Sequence, residues 1–356
     1  MSGTTVALVR VKGSAGEVGY QHGLARAAQL RAFLDDDLAR INKLASAPTS
    51  LAALEPLLAD YAAAIERATP ALSEEIAGLA EGAGISVAEA TLLQVRRELI
   101  GYQKIPARGD CTTYASLRHG PAGGPVLAQT VDLNGNLDDQ LAVLDITLAQ
   151  SSRRALVLSF GGLLGYLGIN SDGLAIGLNL VLGGDWKPGL PPYLAIRYLL
   201  DAAGSVDEAL KILPDLPLAS SRSLTLCDQD RLACVEILDG QVKVLPVGET
   251  CVHANHYLDP GFAAADELNV FARNSSLARL KAGSAGLESF GGAGGVEVER
   301  HFELLSQPVI CVGDTGDIRR ERTVAAVVMV PDQGELHVRP GDPSRSGTVT
   351  FRIGRP

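Results

Sequence analysis

No cluster of lysine or arginine interrupts this 356-residue chain, and its formal net charge is −10. Nucleic acids and anionic membrane surfaces attract basic patches, so neither is expected as a partner, and the charge itself reads as solubility. The opening MSGTTVALVRVKGSAGE lacks the basic head and long apolar core of a signal peptide. The longest uncharged stretch, residues 155–171, is broken by Gly161, Gly162, Gly165 and Gly168, which favours two buried strands joined by glycine turns over a membrane helix. Paired cysteines at zinc-binding intervals are missing as well. Five cysteines at irregular spacing (Cys111, Cys227, Cys234, Cys251, Cys311) make no disulfide framework and suit a reducing, cytoplasmic compartment, with at least one thiol left free. There is no phosphate-binding loop and no Gly-x-Ser-x-Gly elbow. The glycine-rich run Phe160–Gly168 has no helix after it, so it fails as a dinucleotide fingerprint. Neither a cofactor nor a resident metal is expected.

What is present is a globular balance: 46% hydrophobic residues, 39 glycines and ample length for a large core. Helical patterns fill the first hundred residues, over 18–34, 51–68, 73–83 and 86–99, with Pro70 as a break and Ser86-Val-Ala-Glu89 as a capping box. From residue 112 the texture turns to strands, at 112–117, 126–131, 141–148, 155–160, 165–170 and 174–180. Helices over 193–203 and 206–212 separate these from strands at 224–227, 233–238, 242–247 and 251–254. Helices near 275–281 and 296–305 precede closing strands at 323–330, 336–339 and 348–352, and Gly291–Gly295 reads as a flexible loop. Helices grouped around two blocks of mostly antiparallel strands predict an α+β sandwich of layered sheets with helices outside.

The boundary between the two textures falls at Asp110-Cys111-Thr112-Thr113. A cysteine there can become a new N-terminus if the chain cuts itself, joining a thiol nucleophile to a free α-amine that serves as its base. On the residues alone, the buried structural thiol is the favoured reading. His119 lies eight positions on, and nothing marks it as a partner. Asp132 closes Gln129-Thr-Val-Asp132; if the first two strands after Cys111 form a hairpin, its carboxylate returns beside Cys111, although a turn aspartate would look the same. The segment Cys251-Val-His-Ala-Asn-His256 suggests a metal site, but on a strand His253 and His256 point to opposite faces, whereas Cys251, His253 and Asn255 share one. The Asn255 amide can donate to a developing oxyanion.

Together these residues resemble the acyl-coenzyme A:6-aminopenicillanic acid acyltransferase family, the C45 group of N-terminal nucleophile hydrolases, almost end to end. Gly16-Glu-Val-Gly-Tyr-Gln-His-Gly23 is similar to its opening element, Asp110-Cys-Thr-Thr113 to its processing site and Gln129-Thr-Val-Asp132 to its aspartate segment. Gly189-Leu-Pro-Pro-Tyr-Leu-Ala-Ile-Arg197, His253-Ala-Asn-His256 and Thr323-Val-Ala-Ala-Val-Val-Met329 follow in the same order. The resemblance implies a four-layer αββα fold and autocleavage between Asp110 and Cys111. A small helical chain of residues 1–110 would stay associated with a large chain of residues 111–356, one domain formed by both, with a homo-oligomer left open. It further implies Cys111 as nucleophile, Asp132 as the group positioning its amine and Asn255 as oxyanion donor. The expected activity is cleavage of a small N-acyl amine or N-acyl amino acid through a thioester. The alternatives are an acyltransferase using the same thioester and an uncut, non-catalytic binding protein. Three positions depart from the family pattern: Asp110 replaces a glycine, Thr130 an asparagine and Val312 an arginine, for which Arg319, Arg320 or Arg322 are the candidate substitutes.

Overall fold

Two stacked sheets organise the chain, seen in a computed structural model that describes residues 6–101, 111–117, 124–290 and 297–353. Asp110, His119 and Gly291–Gly295 lie outside the described residues. The first part holds β1 (Ala7–Gly13), α1 (Ala15–Asp35), α2 (Ile41–Leu44), α3 (Leu51–Ala68), α4 (Pro70–Ala83) and α5 (Val87–Ile100). Next come β2 (Thr113–Ser116), β3 (Val126–Leu133), β4 (Leu141–Leu148), β5 (Arg154–Phe160), β6 (Leu167–Asn170) and β7 (Ala175–Asn179). After α6 (Pro192–Ala202) and α7 (Val206–Ile212) follow β8 (Arg222–Cys227), β9 (Leu232–Leu238), β10 (Gln241–Val244) and β11 (Thr250–His253). The chain closes with α8 (Pro260–Ala263), α9 (Val270–Ser289), α10 (Val298–Leu305), β12 (Arg322–Val330), β13 (Glu335–Pro340) and β14 (Val349–Arg352).

One sheet runs β1-β4-β5-β6-β7-β8-β9-β10 and the other β11-β2-β3-β12-β13-β14. β2 and β3 face β7 and β8 across the sandwich, α6 covers β5 to β7, α1 covers β1 and β4, and α9 and α10 cover β11 and β12. The result is the expected αββα sandwich. The short helices α2 and α8 went unread in the sequence, and three larger elements also differ from that reading. β1 went unread among helical patterns, yet Val9 and Val11 alternate with exposed neighbours, and the strand pairs in parallel with β4. Pro70 opens α4 at a position where its missing N–H costs nothing. α9 is far longer than expected, starting from the Asn269 cap; its glycines and serines mask the helical pattern. Among the described residues no single helix is long and apolar enough to cross a membrane.

The two sheets approach closely where the site lies. Gln129 on β3 donates to Leu178 O (2.8 Å) and accepts from Leu178 N (2.9 Å), so its amide behaves as a strand segment reaching across the core. Gly177 leaves room for it: a Cβ there would stand 2.7 Å from Gln129 Oε1. The α1–α4 pair is equally tight, because Gly19, Gly23, Gly78 and Gly82 each face the partner helix's backbone where a Cβ would clash.

Two buried ion pairs join residues before position 110 to residues after it. Arg197 on α6 donates to both carboxylate oxygens of Glu75 on α4 (2.8 and 3.0 Å) and also pairs with Asp201 (2.9 Å). Arg222 on β8 meets Glu98 on α5 (3.4 Å), which also accepts from Ser220 (3.0 Å). Beside Arg197, His22 of the Gly-Tyr-Gln-His-Gly element is buried, and desolvation together with the Arg26 and Arg197 charges pushes its pKa down to about 3. The unfolded chain binds a proton at this histidine below about pH 6.5, whereas the folded one does not until about pH 3. Its contribution to stability is therefore full above pH 6.5 and is lost on acidification toward pH 3. In His22→Asn the stability, measured by urea unfolding between pH 7 and 4, should fall less steeply than in wild type; equal slopes would remove His22 from the acid limb.

Candidate active site

The hairpin expected after Cys111 forms. β2 pairs antiparallel with β3, and β3 with β12, which brings the end of β3 back over the residues that precede β2. Thr112 and Thr130 lock that end: Thr130 N donates to Thr112 O (3.0 Å) and Thr112 N to the Thr130 hydroxyl (3.1 Å). The hydroxyl that replaces the family amide thus holds the backbone next to Cys111, and it reaches Asp132 Oδ2 at 3.4 Å.

Cys111 is 4% exposed, and its Sγ lies 3.4 Å from the Asp132 backbone N–H, which can donate to a thiolate. The Tyr166 hydroxyl stands 3.6 Å from the same sulfur. Burial, with Cys111 and Tyr193 close by, drives the Tyr166 pKa well above its ordinary value, so the phenol keeps its proton and can also donate to a thiolate. The buried Asp132 carboxylate accepts from Thr323 Oγ1 on β12 (2.6 Å), and that hydroxyl in turn accepts from Val312 N (2.9 Å). The segment around Val312 therefore reaches the site through a backbone amide.

The Cys111 carbonyl is held from two sides, by Asn179 Nδ2 at the end of β7 (2.7 Å) and by Arg279 Nη1 on α9 (2.9 Å). Arg279 also donates to Thr112 Oγ1 (3.1 Å) and, through Nη2, to Asn255 Oδ1 (2.7 Å). Asn255 lies just beyond β11; its amide nitrogen donates to Leu180 O (2.9 Å), and its backbone N–H donates to Ser276 Oγ (2.7 Å). Since an amide NH₂ carries two hydrogens, one remains after the bond to Leu180. Cys111, Asp132 and Asn255 thus converge, with Asn179, Arg279, Tyr166, Thr130 and Thr323 around them.

Asn179, Arg279 and Tyr166 were not picked out from the sequence, whereas Thr130 and Thr323 stood in the family-like segments with no role given to them. A buried asparagine in the apolar strand Ala175–Asn179 was a signal for Asn179; Arg279 had none, as one arginine among several polar residues of α9. The expected substitutes for the arginine absent at Val312 do not reach the site. Arg319 and Arg320 are exposed and face Asp317, and Arg322 is held by Asp138 and Asp314. Sequence proximity to Val312 was the wrong guide, because the guanidinium beside Cys111 comes from a helix on the outer face of the sheet. His253 bonds Glu236 (2.9 Å) and His256 bonds Ser276 (2.7 Å), so the two rings diverge. Cys227, Cys234, Cys251 and Cys311 are free thiols whose pKa burial raises, to about 12 for Cys251 and Cys311, so none is a ready thiolate.

A narrow, partly open cavity of about 40 Å³ lies behind Tyr166, which links it to Cys111; Leu133 and Asn134 at the end of β3 and Phe33, Leu93 and Phe160 also bound it. Its lining is largely apolar.

A four-layer αββα sandwich with a cysteine leading into a strand of one inner sheet and a buried aspartate returning beside it defines an N-terminal nucleophile-type hydrolase fold. Residues 120–344 match the family described as acyl-coenzyme A:6-aminopenicillanic acid acyl-transferase, and the chain belongs to that family. The match includes Asp132 and Asn255 and begins after Cys111. The chain is 28% identical over 266 residues, 73% of its own length and 72% of the relative's, to the acyl-coenzyme A:6-aminopenicillanic-acid-acyltransferase 40 kDa form of Emericella nidulans. Among solved structures it is similar to penicillin V acylase from Agrobacterium tumefaciens (13% identity, TM-score 0.46, 68% of this chain and 86% of that one). It is also similar to the Caenorhabditis elegans ortholog of N-acylethanolamine-hydrolyzing acid amidase (16% identity, TM-score 0.46, 68% and 100%).

Proposed function

We propose that this protein is an autoprocessed cysteine amidohydrolase that cleaves a small N-acyl amine or N-acyl amino acid. The observation that carries the reading is Cys111 itself. Its sulfur meets the Asp132 N–H and the hydroxyl of Tyr166, a residue that lines a cavity, while its carbonyl is fixed by Asn179 and Arg279. In this reading the Asp110–Cys111 bond is cut, giving chains of residues 1–110 and 111–356 and freeing the Cys111 α-amine. Asp132 holds that amine. The amine takes the thiol proton, directly or through water, and the sulfur attacks the acyl carbonyl. The carbonyl's electron pair moves to oxygen, where the remaining N–H of Asn255 and backbone N–H groups stabilise it. Collapse of the intermediate breaks the C–N bond, and the protonated α-amine gives its proton to the departing nitrogen. A thioester on Cys111 remains. Water releases the acid; a second amine would release a new amide, the kind of transfer for which the Emericella relative is named.

Intact-mass analysis of purified protein tests the reading, alongside Cys111→Ala. Wild type should appear as two chains divided before Cys111 and should gain one acyl mass on the larger chain when quenched with an amide substrate. Cys111→Ala should stay whole at about 37 kDa. A wild-type chain that remains whole while still cleaving amides would rule out the α-amine as base. An N-acyl amine panel read for both free acid and acyl transfer then decides between water and amine as acceptor.

A further inference from the structure

Arg96 on α5 is 8% exposed and borders the cavity behind Tyr166. Arg197, Arg222 and Arg279 have side-chain partners, Glu75 and Asp201, Glu98, and Asn255, and Arg26, 9% exposed, meets the Gln140 carbonyl at 3.5 Å. Arg96 has no such side-chain partner among the described residues. Its Nε donates to Ala39 O (2.6 Å), and its Nη2 is buried with no hydrogen-bond partner. A buried guanidinium without a carboxylate is costly, and proteins ordinarily pair it.

The surroundings keep the group in place. The guanidinium carbon lies 5.7 Å from the centre of the Phe33 ring, a cation–π arrangement that fixes its plane. Gly135, at φ +87°, passes the free nitrogen where a Cβ would come within 2.6 Å, so the loop after β3 leaves space only by lacking a side chain. Arg97 also borders the cavity, and among the described residues no carboxylate does. Burial, with the Arg97 and Arg40 charges nearby, pushes the Arg96 pKa down to about 9, a measure of how poorly its charge is matched.

We infer that the cavity behind Tyr166 accepts a substrate bearing a carboxylate, and that Arg96 receives it. This deepens the amidohydrolase reading and rests on it for the position of the scissile bond. One free guanidinium edge suits a planar, singly charged carboxylate better than a phosphate, which asks for several donors. The apolar walls take the rest of the molecule. The carboxylate can sit on the amine side, as in an N-acyl amino acid, or on the acyl side, as in the half-amide of a dicarboxylic acid.

Sulfonamides replace the scissile carbonyl with a group the thiol does not cleave, so binding can be read apart from turnover. N-(Benzylsulfonyl)glycine carries its carboxylate on the amine side and 3-(benzylsulfamoyl)propanoic acid on the acyl side; each is compared with its methyl ester by calorimetry on the purified enzyme as isolated. At least one acid should bind ten-fold or more tighter than its ester, and the acid that does so identifies the side. In Arg96→Met that preference should vanish while ester affinity stays the same, and Arg96→Lys should restore part of it. Equal binding of acid and ester by wild type, no binding of either acid, or a preference that survives in Arg96→Met would overturn the inference. The wild-type comparison stands even if a variant fails to fold. Failure of the amidohydrolase reading would appear elsewhere, as absence of a thioester on Cys111.

Discussion

Asn255→Ala should lower kcat by roughly 10²–10³-fold, the usual cost of removing one oxyanion donor, with KM changed far less. The expectation comes from how the side chain is held. Arg279 fixes Asn255 Oδ1 and Leu180 O takes one amide hydrogen, so the amide plane is set and the other hydrogen has a fixed direction. A preset donor of this kind interacts more strongly with the charge that develops on the carbonyl than with the neutral substrate, so its loss falls on kcat. The measurement requires processed enzyme, because a defect in chain cutting would also depress turnover; intact mass on the same sample separates the two. A second comparison tells donation from positioning. If Asn255 acted only by holding Arg279 on the Cys111 carbonyl, Asn255→Asp, which keeps an acceptor for Arg279 but lacks the amide hydrogens, would restore turnover. Near-normal kcat in either processed variant would remove Asn255 from the oxyanion role.

Much of this architecture was legible in the chain. Strands such as β4 and helices such as α3 and α7 fell at the expected boundaries, because each has an unbroken period and clear punctuation at its ends. The nearness of Asp132 to Cys111 was legible too, since it requires only that two adjacent strands pair as a hairpin. Asn179, Arg279 and Tyr166 were not. They come from three separate places, the end of β7, the buried face of α9 and the loop before β6, and only the tertiary packing brings them to one cysteine, two at its carbonyl and one at its sulfur. Local pattern carries no information about that packing. The same limit explains why the arginine near Cys111 was sought at 319–322 and found at Arg279.

The division between local and distant information also bears on how two chains would remain one domain. β1 is paired to β4, and the ion pairs of Glu75 and Glu98 reach Arg197 and Arg222 across the boundary at position 110. A cut before Cys111 would therefore leave the two pieces sharing a sheet and two buried charge contacts, so they should migrate together without a covalent link.

Glu75→Ala should destabilise the protein by about 3–5 kcal/mol, the range found when one member of a buried pair is removed and the other left behind. Domains are commonly stable by only about 5–15 kcal/mol, so this is a large fraction of the whole. Arg197 is fully buried, and at present Asp201 and Glu75 together outweigh the burial that opposes its charge. Without Glu75, two of its nitrogen contacts are lost and only the Asp201 contact and a 3.3 Å bond to Leu164 O remain. The double change Glu75→Leu with Arg197→Met removes both charges and should recover much of the loss, because no uncompensated ion is left in the core. Urea unfolding of wild type, Glu75→Leu, Arg197→Met and the double variant gives the coupling directly. In the processed enzyme the same change should show a second effect, with the chains of residues 1–110 and 111–356 separating at lower urea than in wild type. A Glu75→Ala protein as stable as wild type, with its chains equally hard to part, would mean that Asp201 alone satisfies Arg197 and that the α4–α6 contact is held by apolar packing.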